Sequence, residues 1–297
     1  MTHRRSRRRV MSNALTLGLV AAGVVAMPAA AQARPLPRVH LAQVAAAWGD
    51  NEHGNLGDGT FVQRPTAVNV GSNETQVAAG YDHSLAVISD GSVWSWGSNA
   101  FGQLGTGPAQ SAASPQLVSG ISGTITQVAA GWSHSLALGS DGTVWAWGDN
   151  QYGELGDGNL IQSDTPVKLS SLSDITQIAA GDDWSLALRS DGTVWAWGDN
   201  LYDELGAQVP DVYDNRDVPV QVVGLSGVTQ IAAGGSFGMA IQTTVKLGFL
   251  RHSLWTWGQE TWGQVGNGQL TDPLARTCLA TSASAAGMAS FTAPPRR

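Results

Sequence analysis

The chain has 297 residues, 13% of them charged, a formal net charge of −7 and one cysteine. Its acidic balance excludes non-specific affinity for phosphate backbones, because that affinity comes from Lys and Arg displacing counterions. The lone cysteine, Cys278, excludes an internal disulfide, so the fold must stand on packing alone.

Residues 1–33 are predicted to be an export signal. Arg4, Arg5, Arg7, Arg8 and Arg9 precede an apolar stretch from Ala14 to Met27, and Ala31-Gln32-Ala33 fits a cleavage site. At 14 residues the stretch is too short to span a bilayer comfortably, so no stable membrane insertion is expected. The run from Ser6 to Met11 also fits a twin-arginine signal, which leaves two export routes open. The segment carries five Arg and no acid, so its removal takes the formal charge from −7 to −12. The mature chain is expected outside the cytoplasm, in the periplasm, the cell envelope or the medium.

Residues 34–44 read as a linker and 45–268 as a repeat array. Ala45 to Gly49 supplies one strand, and a Gly-rich loop from Asp50 to Gly59 follows. From Gln76 the chain reads QVAAGYDHSLAVISDGSVWSWGSNAFGQLGTG; the same unit returns from Gln127 and Gln177, and in worn form from Gln230. The AAG glycines Gly80, Gly131, Gly181 and Gly234 lie 51, 50 and 53 residues apart, a period of propeller blades or solenoid turns.

Inside the unit, Ile125 to Ala130, Ser135 to Leu138 and Thr143 to Trp147 are short β-prone runs split by Gly and Asp. Asp141-Gly142, like Asp90-Gly91 and Asp191-Gly192, is predicted to form a two-residue hairpin turn. A fourth run near Pro115 to Val118, Pro166 to Leu169 and Pro219 to Val223 completes four antiparallel strands per unit. Tryptophans two apart (Trp94 and Trp96, Trp145 and Trp147, Trp195 and Trp197) share one strand face and should wedge against a neighbouring blade. Asn51, Asn99, Asn150 and Asn200 should bond the backbone of their own loops; the last unit has Glu260 there.

Beyond Gly206 the pattern decays. An Asp-rich insertion follows, and the stretch from Thr243 to His252 replaces Asp-Gly, as either a partner-engaging protrusion or a degenerate hairpin. After Gly268 no strand set is convincing, and residues 269–297 read as a disordered or degenerate tail.

The unit resembles the repeat of the regulator-of-chromosome-condensation family. The matching residues are AAG followed by x-x-His-Ser-Leu-Ala-Leu, Asp-Gly, and a Trp-Gly-x-Asn-x-x-Gly-x-Leu-Gly-x-Gly loop as in Trp147 to Gly158. Kelch repeats share the period, but their Gly-Gly doublet is not found at the matching place in each unit. The resemblance implies an all-β propeller of four-stranded antiparallel blades and a protein-binding scaffold. Seven blades, usual in that family, need about 28 strands. The repeats here supply 17, so four to five blades in an incomplete or open ring are expected, with weak self-association through the open blade ends.

Candidate partner-binding residues fall into two groups. The loops after each AAG glycine differ between units while sharing a scaffold, and they offer Tyr81, Asp82, Trp132, Asp182 and Trp184. A ring recurs in the loop after each Trp strand, at His53, Phe101, Tyr152, Tyr202 and Trp262, and suits either an exposed aromatic arc or packing over its own loop. His83 beside Ser84 and His134 beside Ser135 point to opposite strand faces, so neither pair reads as a nucleophile and its base. Asp149, Glu154 and Asp157, and Asp211, Asp214 and Asp217, lack the spacing of a calcium loop and read as solvated turns.

No enzyme, cofactor or metal is predicted, since nothing assembles an acid, base and nucleophile, a phosphate cradle or a metal cage. The expected function is an exported, non-catalytic scaffold for an unidentified protein partner, with no nucleic acid. The alternatives are a secreted inhibitor of the β-lactamase-inhibitor type, a carbohydrate-binding or cell-envelope protein, and, by resemblance alone, a guanine-nucleotide-exchange-like activity.

Overall fold

The computed structural model describes residues 16–17, 44–108, 110–206, 214–246, 249–266 and 277–283. Among them every regular element is a β-strand, all pairings are antiparallel, and the chain divides into two compact units: residues 1–151 with 161–169, and residues 152–160 with 170–297. The rest of the predicted export signal and of the linker, and Asp211, lie outside the described residues.

In the first unit β1 (Thr16–Leu17), β2 (Val44–Gly49) and β3 (Arg64–Ser72) make one sheet. Next come β4 (Glu74–Ala79), β5 (His83–Ile88), β6 (Val93–Gly97) and β7 (Ala112–Leu117), and then β8 (Ile125–Ala130), β9 (His134–Gly139), β10 (Val144–Gly148) and β11 (Ser163–Lys168), each a four-stranded meander. In the second unit β12 (Ile175–Ala180), β13 (Trp184–Arg189), β14 (Val194–Gly198) and β15 (Arg216–Gln221) form one meander. The other is β16 (Val228–Ala233), β17 (Phe237–Lys246), β18 (Phe249–Gly258) and β19 (Thr277–Ala283). These are propeller blades, four of them complete.

Three strands go beyond the sequence reading: β1, which falls within the predicted export signal and pairs with β2, and β3 and β19. β3 carries at Pro65 to Val68 the Pro-x-x-Val signature also found at Pro115 to Val118 and Pro219 to Val222. β19 replaces the expectation that no strand follows Gly268: it pairs with β18 from Thr256↔Thr277 to Arg251↔Ala283, and so supplies the fourth strand of the last blade. The stretch from Thr243 to His252 is no degenerate hairpin, because β17 and β18 pair without a slip from Phe237↔Gly258 to Lys246↔Phe249.

The Asp-Gly turns are also one residue longer than predicted. Gly142 N–H donates to the Gly139 carbonyl at 3.0 Å while Gly139 N–H donates to the Thr143 carbonyl at 2.8 Å, and Gly142, not Asp141, takes positive φ (80°). That is the three-residue loop with a glycine bulge. Asp141 caps it, accepting from Thr143 Oγ1 at 2.6 Å and Thr143 N–H at 3.1 Å, and these bonds hold its carboxyl below the usual range.

Strands β9 and β10 are buried at every position, whereas β11, the outer strand, has no fully buried residue. The strict alternation of a one-sided sheet is therefore lost where the blade is deepest. Leu85, Val87 and Val93 pack against Val128, Ala137, Trp145 and Trp147 of the next blade; in the second unit Leu186, Leu188 and Val194 meet Val228, Ile231 and Trp257. Trp145 and Trp147 wedge between blades as their spacing predicts, whereas Trp94 and Trp195 are half-buried and donate within their own blades, to Ser92 Oγ at 3.0 Å and Thr193 Oγ1 at 3.1 Å.

Two polar devices join the blades. The indole of Trp147 donates to the carbonyl of Gln103 in the preceding blade's loop at 2.9 Å, and Ser135 Oγ donates to the same oxygen at 2.8 Å. A Cβ on Gly105 would lie 2.8 Å from that indole nitrogen, so the loop needs glycine there as a seat for the ring. The side-chain amide of Gln76 imitates a peptide group: it donates to the Val128 carbonyl at 3.0 Å and accepts from Val128 N–H at 2.6 Å. The loop asparagines act as expected, Asn99 Oδ1 accepting from Leu104 N–H at 3.0 Å and its Nδ2 donating to the Gly107 carbonyl at 3.2 Å.

Candidate protein-binding rim

Each AAG turn closes on itself. Gly80 N–H donates to the His83 carbonyl at 2.8 Å and Gly131 N–H to the His134 carbonyl at 2.9 Å, which leaves the intervening residues projecting at one end of the blade. Ser98 N–H donates to the Asp82 carbonyl at 2.8 Å, so the loop after the Trp strand starts at that same end. Turn and loop together make a rim.

In the first unit this rim gathers His53, Tyr81, Asp82 and Trp132. Tyr81 and Trp132, from adjacent blades, stack at 4.1 Å between centroids with planes 10° apart. Tyr81 N–H donates to the Gly131 carbonyl at 3.2 Å, which anchors the pair in the backbone of both turns. Trp132 remains 39% exposed, so the stack presents one indole face or edge to solvent. His53 Nε2 lies 3.7 Å from Asp82 Oδ2; burial raises the Asp82 pKa, opposed by the His53 charge. The result is a stacked aromatic pair beside a carboxyl group.

The second unit departs from the prediction at Trp184, which is 1% exposed and cannot meet a partner. It occupies the place of His83, and its indole donates to the Gly235 carbonyl of the next blade at 2.8 Å, a joint rather than a contact surface. Asp182 stays half-buried, with its N–H on the same Gly235 carbonyl at 2.9 Å. Tyr152 and Tyr202 are half-buried, while Phe101 and Trp262 are exposed at 42% and 72%, so the recurrent rings do not share one environment. What recurs is the backbone beneath them: Phe101 N–H donates to Gln103 Oε1 at 2.9 Å, Tyr152 N–H to Glu154 Oε2 at 2.8 Å, Tyr202 N–H to Glu204 Oε2 at 2.7 Å and Trp262 N–H to Gln264 Oε1 at 2.7 Å.

The structure does bring a histidine and a serine together, but not the adjacent pairs. His83 Nε2 lies 2.9 Å from Ser135 Oγ, one repeat away. Ser135 already gives its proton to the Gln103 carbonyl, so the histidine N–H donates to the serine. Both side chains are at most 1% exposed, and burial pushes the His83 pKa down to about 4. A neutral histidine donating to a sealed serine is a structural bond, not a base activating a nucleophile.

The acidic loops spend their carboxylates locally. Asp157 accepts from Asn159 N–H at 3.3 Å and Nδ2 at 2.8 Å, Asp149 from Asn150 N–H at 2.8 Å, and Asp214 pairs with Arg216 at 2.8 Å. Among the described residues no group of three or more His, Cys, Asp or Glu stands together as a metal set. Glu204 is buried, and burial pushes its pKa up to about 8.

Residues 44–292 match the RCC1-like domain family. The chain is 34% identical over 127 residues to the ultraviolet-B receptor UVR8 of Arabidopsis thaliana, covering 41% of this chain and 29% of that protein. It is 40% identical over 140 residues to the probable E3 ubiquitin-protein ligase HERC6 of Homo sapiens, covering 43% and 14%. It thus spans less than a third of the length of these relatives. Among solved structures it is similar to human WBSCR16 (TM-score 0.68, 24% identity, 84% of this chain and 70% of that one). It is also similar to yeast RCC1 (Prp20) in a crystal structure with Kap60 (TM-score 0.66, 24% identity, 89% and 66%). With four-stranded blades, repeated Trp-to-carbonyl joints and a family match across most of its length, the chain belongs to the RCC1-like domain family of β-propellers.

Proposed function

We propose that the chain is an exported, non-catalytic scaffold that binds a protein partner through the rim formed by Tyr81, Asp82 and Trp132. The observation that carries this reading is the stacked Tyr81–Trp132 pair, part-exposed and held by backbone on both sides. Flat aromatics anchored before binding lose little entropy on association and make efficient contact points. The closed His83–Ser135 bond favours a binding role over hydrolysis. Prp20p has been crystallised and characterised for binding to Gsp1p and histones, and yeast RCC1 has been seen bound to Kap60, so propellers of this fold engage proteins. Asp182, Tyr152, Tyr202 and Trp262 form a second group of contact candidates.

Export rests on the arginines and apolar stretch of residues 1–33. N-terminal sequencing of the chain recovered from culture medium or envelope should begin at Arg34, whereas an intact Met1 in the cytoplasm would contradict it. Binding is tested by quantitative affinity capture with wild type and Tyr81→Ala/Trp132→Ala. A protein recovered by the wild type should fall at least about tenfold with the double variant. Equal recovery would place the contact elsewhere.

A further inference from the structure

Four times among the described residues an indole N–H donates to a carbonyl in the Gly-rich loop of the previous repeat: Trp96 to Asn55 at 3.0 Å, Trp147 to Gln103 at 2.9 Å, Trp197 to Glu154 at 2.8 Å and Trp257 to Glu204 at 2.7 Å. All four indoles are at most 2% exposed, and the glycine two residues past each carbonyl (Gly57, Gly105, Gly156, Gly206) lies directly against the ring.

The series has one further donor and one further acceptor. Trp48 stands ahead of Gly49 on β2 as Trp96 stands ahead of Gly97 on β6, but it is only half-buried and donates to no described residue. Gln264 stands where Glu204 does, with Gly266 two residues on at φ 72°, yet its carbonyl accepts from no described residue. The inner-strand clamp repeats the pattern: Gln76 grips Val128 and Gln177 grips Ile231, while Gln230, in the same place on β16, is exposed and grips no described backbone. Beside Gln230, Ala232, Met239, Ile241 and Leu254 line a shallow apolar depression.

We propose that these leftover halves belong to each other across two copies of this chain, the Trp48 indole of one copy docking on the loop from Gln264 to Gly266 of the next. The repeats themselves specify the occupant, because the bond each end lacks is the bond the chain makes four times internally. The interface is heterologous, since different surfaces meet, so each copy in a chain of copies uses both its ends. It lies apart from the Tyr81–Trp132 rim and does not depend on the reading of that rim.

The test is sedimentation velocity of the full chain over a concentration series, with one variant for each end. Trp48→Ala removes the donor ring, and Ala232→Arg puts a charge on the exposed apolar depression; both sites lie outside the buried joints, and thermal melting checks that each variant folds. Wild type should grow into dimers and longer species with concentration. Each variant alone should associate at least about tenfold more weakly. An equimolar mixture of the two should form one-to-one pairs and stop there, because one intact donor end and one intact acceptor end remain. A wild type that stays monomeric at its highest soluble concentration overturns the proposal, as do variants that associate like wild type or a mixture that behaves like its parts. A monomeric wild type whose melting point falls on Trp48→Ala would assign that ring to a contact within its own chain, and would equally overturn it.

Discussion

The joint between the second and third sheets, in the first unit, and the joint between the fourth and fifth, in the second, solve one problem with different side chains. At the first, the Gln103 carbonyl accepts from both Trp147 and Ser135, and Ser135 in turn takes a bond from His83. At the second, the Glu204 carbonyl accepts from Trp257, the serine is replaced by Gly238, and Trp184 reaches past it to the Gly235 carbonyl. The glutamine clamp is the same in both, Gln76 on Val128 and Gln177 on Ile231. A main-chain acceptor and an indole are held fixed, while the polar filling around them drifts. The drift leaves a buried carboxylic acid in the second joint where the first has an amide.

The largest effect expected from that comparison is loss of the shared element. Trp257→Ala should cost about 3–5 kcal/mol by denaturant unfolding, because it opens a cavity and strands the Glu204 carbonyl; a loss under 1 kcal/mol would mean that the indole is not what joins the blades. Next comes the acid. With its pKa raised from 4.5 to about 8, Glu204 is protonated in the folded chain near neutrality and ionised in the unfolded one. Stability should therefore decline as pH rises from about 4.5 through about 8, by at most a few kcal/mol. Glu204→Gln, which restores the amide of Gln103, should abolish that decline, and an unchanged pH profile would assign it to other groups.

A smaller effect separates the two joints directly. Gly238→Ser copies Ser135 into the second joint, yet a Cβ there would sit 2.3 Å from Trp257 Cζ2. The substitution should destabilise by roughly 1–2 kcal/mol, whereas a gain would show that the joints are interchangeable. Smallest of all, Gln76→Ala and Gln177→Ala should each cost about 1 kcal/mol, and a clear inequality would break the equivalence of the clamps.

The side-chain pattern made much of this legible. Apolar runs, Asp-Gly turns and the glycine spacing placed the middle blades, and the loop asparagines carry the role their position implied. The joint itself was hidden for a physical reason: its acceptor is a carbonyl, which any residue can supply. A trace was present all the same, since Asn55, Gln103, Glu154, Glu204 and Gln264 are all amides or acids, and four of them receive the N–H two residues earlier. Trp184 was read as a contact residue because a variable position beside a turn suggests solvent, whereas here the variation is between alternative fillings of a buried joint. β19 gave no signal because Thr277 to Ala283 is mostly small residues and lacks the Pro-x-x-Val mark; it pairs with β18 between Arg251 and Thr256.

Buried joints hold the blades together, whereas the rim at Tyr81 and Trp132 is proposed to meet a partner. Denaturant unfolding of Trp147→Ala and of Tyr81→Ala/Trp132→Ala, measured side by side, tests that division most directly. The joint variant should lose about 3–5 kcal/mol and the rim variant no more than about 1.5 kcal/mol, the worth of one aromatic stack. Equal losses would contradict the division, because the stacked rings would then be part of what holds the blades together rather than a surface kept for a partner.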